Sequence, residues 1–312
     1  MHNNQKEIPI TEAVALNNLK YILGPMRPPF LILTPACVLV GLGTAVWTTG
    51  RISLFYFLLT LIGAISTHIS VNAFNEYFDF KSGLDLRTQR TPFSGGSGTL
   101  PEHPESVNQA LATAIVSLSV AGVIGLYFLY ARGLALLPLG LIGFVIIVAY
   151  SPWVAYHPWL SLIAPGLGFG PFMVMGTHFA LTGHYSWIAF VGSLVPFFLV
   201  NNLLLLNQFP DIEADKTIHR KNVPIVFGRR VSCFVYGAFL VLTYLSIILG
   251  FYFGYLPIGS LLGLGTLVIA VPSLIGAIRY AENTTKLIPS MGLNVAVNII
   301  TPTLVAIGLL IG

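Results

Sequence analysis

Nine apolar runs, each long enough as a helix to cross the ~30 Å hydrocarbon core of a bilayer, follow one another along this chain. They cover about 28–48, 53–75, 108–131, 133–150, 160–181, 185–207, 231–251, 257–279 and 289–311. In lipid a backbone must satisfy its own hydrogen bonds, and a helix does so within one segment. The expected fold class is therefore all-α, a polytopic membrane protein with nine transmembrane helices. Composition excludes the soluble alternatives. Only 8% of the 312 residues are charged and 55% are hydrophobic, whereas a soluble domain carries about a quarter charged residues. The 31 Gly and 20 Pro would weaken a soluble bundle but are common in membrane helices, where small residues allow close packing.

Residues 1–25 are expected to form a cytosolic tail, or a short interfacial helix over 11–24, ahead of one membrane domain over 26–312. The mixed charges of Lys6, Glu7, Glu12 and Lys20, with no cleavage pattern before the run near Pro28, do not read as a cleavable signal peptide. With the N-terminus in the cytosol, 13 of the 15 Lys and Arg residues fall on the cytosolic side and only Arg51 and Arg132 fall outside. That asymmetry is the positive-inside pattern of a multi-pass protein of the cell membrane. The net charge of +4 lies in membrane-flanking segments, with no soluble basic domain to hold nucleic acid. Cys37 and Cys233 sit far apart in apolar runs and read as small core residues.

All 11 acidic residues fall on the same cytosolic side, and six of them form two clusters. The first runs from Asn72 through Asn75, Glu76 and Asp79 to Lys81, Gly83 and Asp85. The second runs from Asn207 and Gln208 through Asp211 and Glu213 to Asp215 and Lys216. On a helix, Asn75 and Asp79 share a face, as do Asn207, Asp211 and Asp215. Gly83 is expected to end the first helix, with Asp85 on the turn beyond. From Ser53 to Asp79 and from Tyr185 to Asp211 is 27 residues in each case, about 40 Å of helix, so both clusters should emerge at one interface. Gathered carboxylates repel and need cations between them. Asp with amide oxygens, and no Cys, is a hard-oxygen donor set suited to Mg²⁺. Mg²⁺ keeps positions open for diphosphate oxygens, so an acidic pocket can take an anionic substrate through the metal. The alternative is a pair of solvated helix ends. Downstream, Arg87 and Arg90 precede Ser94-Gly95-Gly96-Ser97-Gly98, which is either a phosphate-binding run of backbone N–H groups or a flexible loop.

The paired motifs resemble those of the UbiA superfamily of intramembrane prenyltransferases, in detail the branch that prenylates 1,4-dihydroxy-2-naphthoate in menaquinone synthesis. Its Asn-acid-x-x-Asp-x5-Asp motif matches Asn75, Glu76, Asp79 and Asp85, and its second motif matches Asn207, Asp211 and Asp215, with Gln208 in place of an Asn. Arg27-Pro28, Tyr150-Ser151, and Gly176-Thr177 through Thr182-Gly183 add smaller matches. The chain departs from the branch at His157, at Phe169 where an acid is usual, at Asn222-Val223-Pro224 and in the Ser94–Gly98 run.

The resemblance implies Mg²⁺ held by Asn75, Asp79, Asp85, Asn207, Asp211 and Asp215, and a polyprenyl diphosphate donor bound through it. Arg27, Lys81, Arg87, Arg90, Lys216 and Arg220 are the candidates for diphosphate binding. Tyr150 aligns with a residue that faces the allylic cation, or it is an interface tyrosine. Asn72 and His68, one and two turns before the ligands, either position an aromatic acceptor or serve as bundle hydrogen-bonders. Two other readings stay in competition: transfer to a non-aromatic acceptor giving an ether lipid, and an ion-coupled transporter. Asn201 and Asn202 read as interhelical hydrogen-bonders, and Gly166, Gly168, Gly170 and Gly176 as close-packing positions.

Overall fold

The computed structural model describes residues 21–312. Lys6, Glu7, Glu12 and Lys20, with most of the expected tail or interfacial helix, lie outside the described residues. All regular structure among the described residues is helical. The helices are α1 (Leu33–Thr49), α2 (Leu54–Lys81), α3 (Val107–Arg132), α4 (Leu137–Ala149), α5 (Pro158–Thr182), α6 (Trp187–Thr217), α7 (Val223–Tyr252), α8 (Ile258–Arg279) and α9 (Thr284–Ile311). Each expected apolar run is thus helical, but the runs are unequal. Seven of the described helices, α2, α3 and α5 to α9, are long and apolar enough to cross a membrane. The first run is broken, because Tyr21–Phe30 meets α1 at 52°, and the fourth is a shorter stretch, Leu134–Ala149.

Helix boundaries follow from local chemistry. Ser53, Ser186, Asn222 and Asn283 each accept a hydrogen bond from a backbone N–H in the first turn of α2, α6, α7 and α9. Asn222 with Pro224 starts α7 at Val223, earlier than the apolar run near 231 indicates, and the helix is interrupted at Gly228. The helices α2 and α6 continue past their apolar runs to Lys81 and Thr217, so both acidic motifs begin on helix.

The most buried of these spans is α6, which packs against α1, α5, α7 and α9. Its two mid-span asparagines do what their position predicts. Asn201 Oδ1 accepts the Gly166 N–H of α5 at 2.6 Å, and Asn202 Nδ2 donates to the Tyr236 carbonyl of α7 at 2.9 Å. Tyr236 and Ser273 hydroxyls pair at 2.7 Å, and Ser273 donates to the Ser290 carbonyl at 2.9 Å. Polar bonds therefore join α7, α8 and α9 within an apolar core of Leu205, Leu206, Ile247, Leu287 and Met291. Outward faces carry large apolar side chains such as Val123, Leu126, Val145, Val268 and Ile278, the inverse of a soluble surface and the one lipid requires.

Between α5 and α6 the backbones nearly touch. A Cβ on Gly166 would lie 2.3 Å from the Phe197 carbonyl oxygen, and one on Gly170 would lie 2.6 Å from that of Ser193. Pro165 and Pro171 interrupt α5, and its Gly168–Met175 stretch widens to π-helical geometry, which re-satisfies carbonyls freed by proline. Gly168 has open space around it, and at Gly176 a Cβ would meet Leu139 at an ordinary 3.5 Å, so only two of the four glycines are close-packing positions. Gly166→Ala is expected to destabilise the protein by about 1–3 kcal/mol through overpacking, seen as a lower thermal midpoint in detergent. Gly168→Ala, measured alongside, should leave the midpoint where it is.

Candidate active site

Local backbone chemistry first places Asp85. Helix α2 ends at Lys81, Gly83 takes a left-handed φ of 76°, and the Leu84 N–H returns to the Asp79 carbonyl at 2.9 Å. The reversal carries the chain back over the helix end and buries the Asp85 carboxyl. After α6, His219 adopts a left-handed φ of 61°, and the Arg220 N–H bonds the Asp215 carbonyl at 3.1 Å. Arg220 is thereby turned back onto the second motif.

The guanidinium of Arg220 joins the two motifs. It forms a close ion pair with Asp79 of α2 and a second one with Asp215 of α6 at 3.4 Å. Asn222 Nδ2 donates to the other Asp215 oxygen at 2.8 Å, so a residue that departs from the branch pattern takes part in the site. Burial alone would lower the Arg220 pKa, but Asp79 and Asp215 outweigh it and hold the group charged above its ordinary value. Tyr150 lies within electrostatic range of Arg220, Asp79 and Asp215. Asn75 Nδ2 donates to Asp79 at 3.0 Å and to the buried Ser151 hydroxyl at 3.0 Å.

A second cation enters from before α1. Arg27, itself left-handed at φ 52°, donates from Nε to Glu76 at 2.6 Å and from Nη2 to Asn75 Oδ1 at 3.1 Å. Asn72 Nδ2 holds this segment through the Met26 carbonyl at 2.9 Å. The glycine-rich loop closes on the same carboxylate: Glu76 accepts from the Ser97 N–H at 2.7 Å and from the Ser97 hydroxyl at 2.9 Å. Ser94 of the loop stands beside Asp211. A cavity of about 600 Å³ lies between the Tyr21–Phe30 segment and this loop, lined by Arg27, Pro28, Phe30, Phe93, Ser94 and Ser97.

The expected basic residues divide. Arg27 and Arg220 lie among the acids. Lys81 lies over the Tyr77 ring, and Arg87 is exposed. Arg90 pairs with Glu102 at 2.9 Å, and Lys216 pairs with Glu213 at 2.8 Å. His68 bonds the Thr34 hydroxyl of α1 at 2.8 Å and sets its ring edge-to-face with Phe169, 4.8 Å between centroids. Glu76 and Ser151 stand in the matched motifs and Ser97 in the glycine-rich run with no individual role assigned to them, and Asn222 stands only as a departure from the branch pattern. The departures of the loop and of Asn222 from the branch pattern were the available signal for two of them.

The donors fit a hard cation. Among the described residues, the buried acceptors Asp85 Oδ2, Asn207 Oδ1, Gln208 Oε1 and Asp211 Oδ1 have no hydrogen-bond partner. Among the same residues no three His, Cys, Asp or Glu side chains form a single tight cluster. The orphaned oxygens are hard donors of the kind Mg²⁺ takes, which it combines with substrate phosphates and waters.

Residues 35–296 match the UbiA prenyltransferase family, and the chain belongs to it. It is a prenyltransferase and a multi-pass membrane protein. A curated relative, the 1,4-dihydroxy-2-naphthoate octaprenyltransferase of Bacillus subtilis (strain 168), is 27% identical over 224 residues, covering 71% of this chain and 70% of that protein. The 2-carboxy-1,4-naphthoquinone phytyltransferase of Synechocystis sp. (strain ATCC 27184 / PCC 6803 / Kazusa) is 23% identical over 247 residues, 78% of this chain and 77% of that one. The solved UbiA homolog of Archaeoglobus fulgidus bound to DMAPP and Mg²⁺ shares the fold, with a TM-score of 0.60 at 17% identity over 92% of this chain and 99% of that one. Nothing in these comparisons supports a transporter.

Burial, then the neighbouring Asp79 and Glu76 charges, push the Asp85 carboxyl from its ordinary 3.8 up to about 8. The folded protein therefore holds a proton between pH 4 and 8 that the unfolded chain has released, and stability contributed by this group falls as pH rises through that window. Chemical denaturation of the metal-free protein should show declining stability from pH 5 to 8, with a shallower decline in Asp85→Asn.

Proposed function

We propose that the protein transfers a polyprenyl group from a polyprenyl diphosphate to an aromatic acceptor of the 1,4-dihydroxy-2-naphthoate kind, with Mg²⁺, at the cytosolic face of the membrane. The reading is carried by the four unpartnered acceptor oxygens of Asp85, Asn207, Gln208 and Asp211, together with two part-buried arginines paired to the acids of the two motifs. The naphthoate-type names of the two relatives support the acceptor class, and the Mg²⁺ bound by the Archaeoglobus homolog supports the metal.

The residues proposed to hold the metal are Asn75, Asp79, Asp85, Asn207, Asp211 and Asp215. Mg²⁺ bound there would neutralise diphosphate oxygens and let an anionic donor enter an acidic pocket. Arg27 and Arg220 donate to the departing diphosphate, stabilising the charge that develops as the allylic C–O bond breaks. Lys81, Arg87, Arg90 and Lys216 would supply longer-range positive charge around the entrance. The Tyr150 ring, within electrostatic range of Arg220, faces the allylic cation. His68, edge-on to Phe169, forms an aromatic corner for the acceptor, with Asn72 one turn nearer the acids.

We also propose nine crossings with a cytosolic N-terminus, and a single membrane domain over 26–312 behind a tail at 1–25. Arg220 ties the end of α2 to the end of α6, which supports an even number of crossings over the four helices α3 to α6. Short α4 is then a crossing. Arg27 meets Glu76 toward the end of α2, which supports α1 as a crossing in the same way.

Asp79→Ala and Asp211→Ala should each abolish prenyl transfer while the protein still inserts, and EDTA should silence the wild type. Undiminished turnover in any of the three would end the reading. Purified protein given geranyl diphosphate and a panel of naphthoate, benzoate and glycerol-phosphate acceptors, with products read by mass, tests the acceptor; a glycerol ether as sole product would refute the aromatic assignment. Orientation has a separate test. In intact cells a membrane-impermeant maleimide should label Arg51→Cys and reach Lys221→Cys only after permeabilisation; the reverse pattern would invert the topology.

A further inference from the structure

The acids of the first motif are not equivalent. Glu76 has no solvent exposure, and its two oxygens are already spoken for. Oε1 accepts from Arg27 Nε at 2.6 Å and from the Ser97 N–H at 2.7 Å; Oε2 accepts from the Ser97 hydroxyl at 2.9 Å. Asp85 and Asp211, by contrast, each keep a buried oxygen with no partner among the described residues. A carboxylate whose lone pairs are committed to a guanidinium and a backbone amide has little left for a cation, whereas one with an orphaned oxygen has the free site.

We propose that Glu76 is a positioning residue, not a metal ligand: it locks the Arg27 guanidinium and the Ser97 loop at the wall of the cavity between the Tyr21–Phe30 segment and the loop, so that Arg27 meets the donor's diphosphate. Three further observations carry this. Arg27 is held on several sides, by its left-handed backbone, by Asn75 and by the Asn72 bond to Met26, which spends conformational freedom before any substrate arrives. Its Nε and Nη2 are engaged by Glu76 and Asn75, while no acceptor among the described residues bonds Nη1, and Arg27 lines the cavity. Gly96 packs the loop onto this junction: a Cβ there would lie 3.2 Å from Glu76 Oε1, 3.3 Å from Asp85 and 3.5 Å from Arg27 Nη2. The one carboxylate thus joins the segment before α1, the end of α2 and the loop. The substrate class follows from the free face of the guanidinium, which suits a diphosphate oxygen.

The test uses the full-length chain in detergent, with Mn²⁺ binding followed by electron paramagnetic resonance and geranyl diphosphate binding by calorimetry. Glu76→Gln should keep Mn²⁺ affinity within about twofold and weaken geranyl diphosphate about tenfold, while Asp85→Asn and Asp211→Asn weaken Mn²⁺ itself. Because Glu76 acts through Arg27, the Glu76→Gln/Arg27→Gln double variant should bind the donor no worse than Arg27→Gln alone. Mn²⁺ loss in Glu76→Gln matching that of Asp85→Asn would make Glu76 a ligand, and multiplying donor penalties would make it independent of Arg27; either result overturns the proposal. Should Glu76→Gln not fold, Ser97→Ala removes the hydroxyl bond to Oε2 together with that hydroxyl's two bonds to Thr99, and keeps the Ser97 N–H on Oε1: it should weaken geranyl diphosphate about threefold at unchanged Mn²⁺ affinity, and unchanged donor binding would refute the arrangement. The proposal rests on the prenyl diphosphate donor and not on the acceptor, so a protein that binds geranyl diphosphate but prenylates no aromatic ring would end the acceptor reading and leave these measurements to decide this one.

Discussion

A carboxylate buried at the end of a membrane helix has lost most of its hydration and needs a positive partner close by. In this protein Arg220 provides that partner for Asp79 on α2 and for Asp215 on α6 together. Much else in the fold depends on that junction. It requires the ends of two helices, separated in sequence by α3, α4 and α5, to arrive side by side, and it requires the chain after α6 to double back at His219. An ion pair this buried returns little net stability, because desolvation consumes much of the Coulomb gain, but breaking it would strand a charge. Its consequence is specificity of arrangement: two acidic motifs held at one depth and one spacing.

Around this bridge the site is built from two complementary kinds of group. Glu76, Asn75 and Asp79 are tied into hydrogen bonds with Arg27, Ser97, Ser151 and Arg220. Asp85, Asn207, Gln208 and Asp211 retain buried oxygens without partners. The bonds of the first set fix geometry, and the second keeps the unsatisfied acceptors that a hard cation and its anionic substrate would complete. Lipid-facing helices that satisfy their own backbones give this polar end a rigid support, with Asn201 and Asn202 stitching α6 to α5 and α7.

How legible this was differed by residue. The motif acids were visible because i, i+4 spacing on a helix end needs no tertiary knowledge, and Gly83 announced the turn that returns Asp85. Asn201 and Asn202 were readable because an amide in the middle of a membrane helix must find a partner. Of the six basic candidates, however, nothing in local sequence separated Arg27 and Arg220 from Lys81, Arg90 and Lys216, which lie over a ring or pair with nearby acids. Glycine counts misled in a similar way, since Gly166 and Gly170 touch α6 whereas Gly168 does not. Proximity across 30 or more residues of chain is not encoded in any short window.

The sequence by itself determined that the chain is an all-helical membrane protein, because apolar length and scarcity of charge leave lipid as the only compatible solvent. It also determined which carboxylates gather, because helical periodicity and segment length set their face and depth. Only the tertiary structure decided which cations stand between them, and that Glu76 is committed to Arg27 and Ser97 while Asp85 and Asp211 keep free oxygens. The physical reason is one of range. Helix formation and membrane depth are governed by near neighbours and by solvent, whereas the pairing of buried charges depends on which distant segments the packed helices bring within ~4 Å of each other.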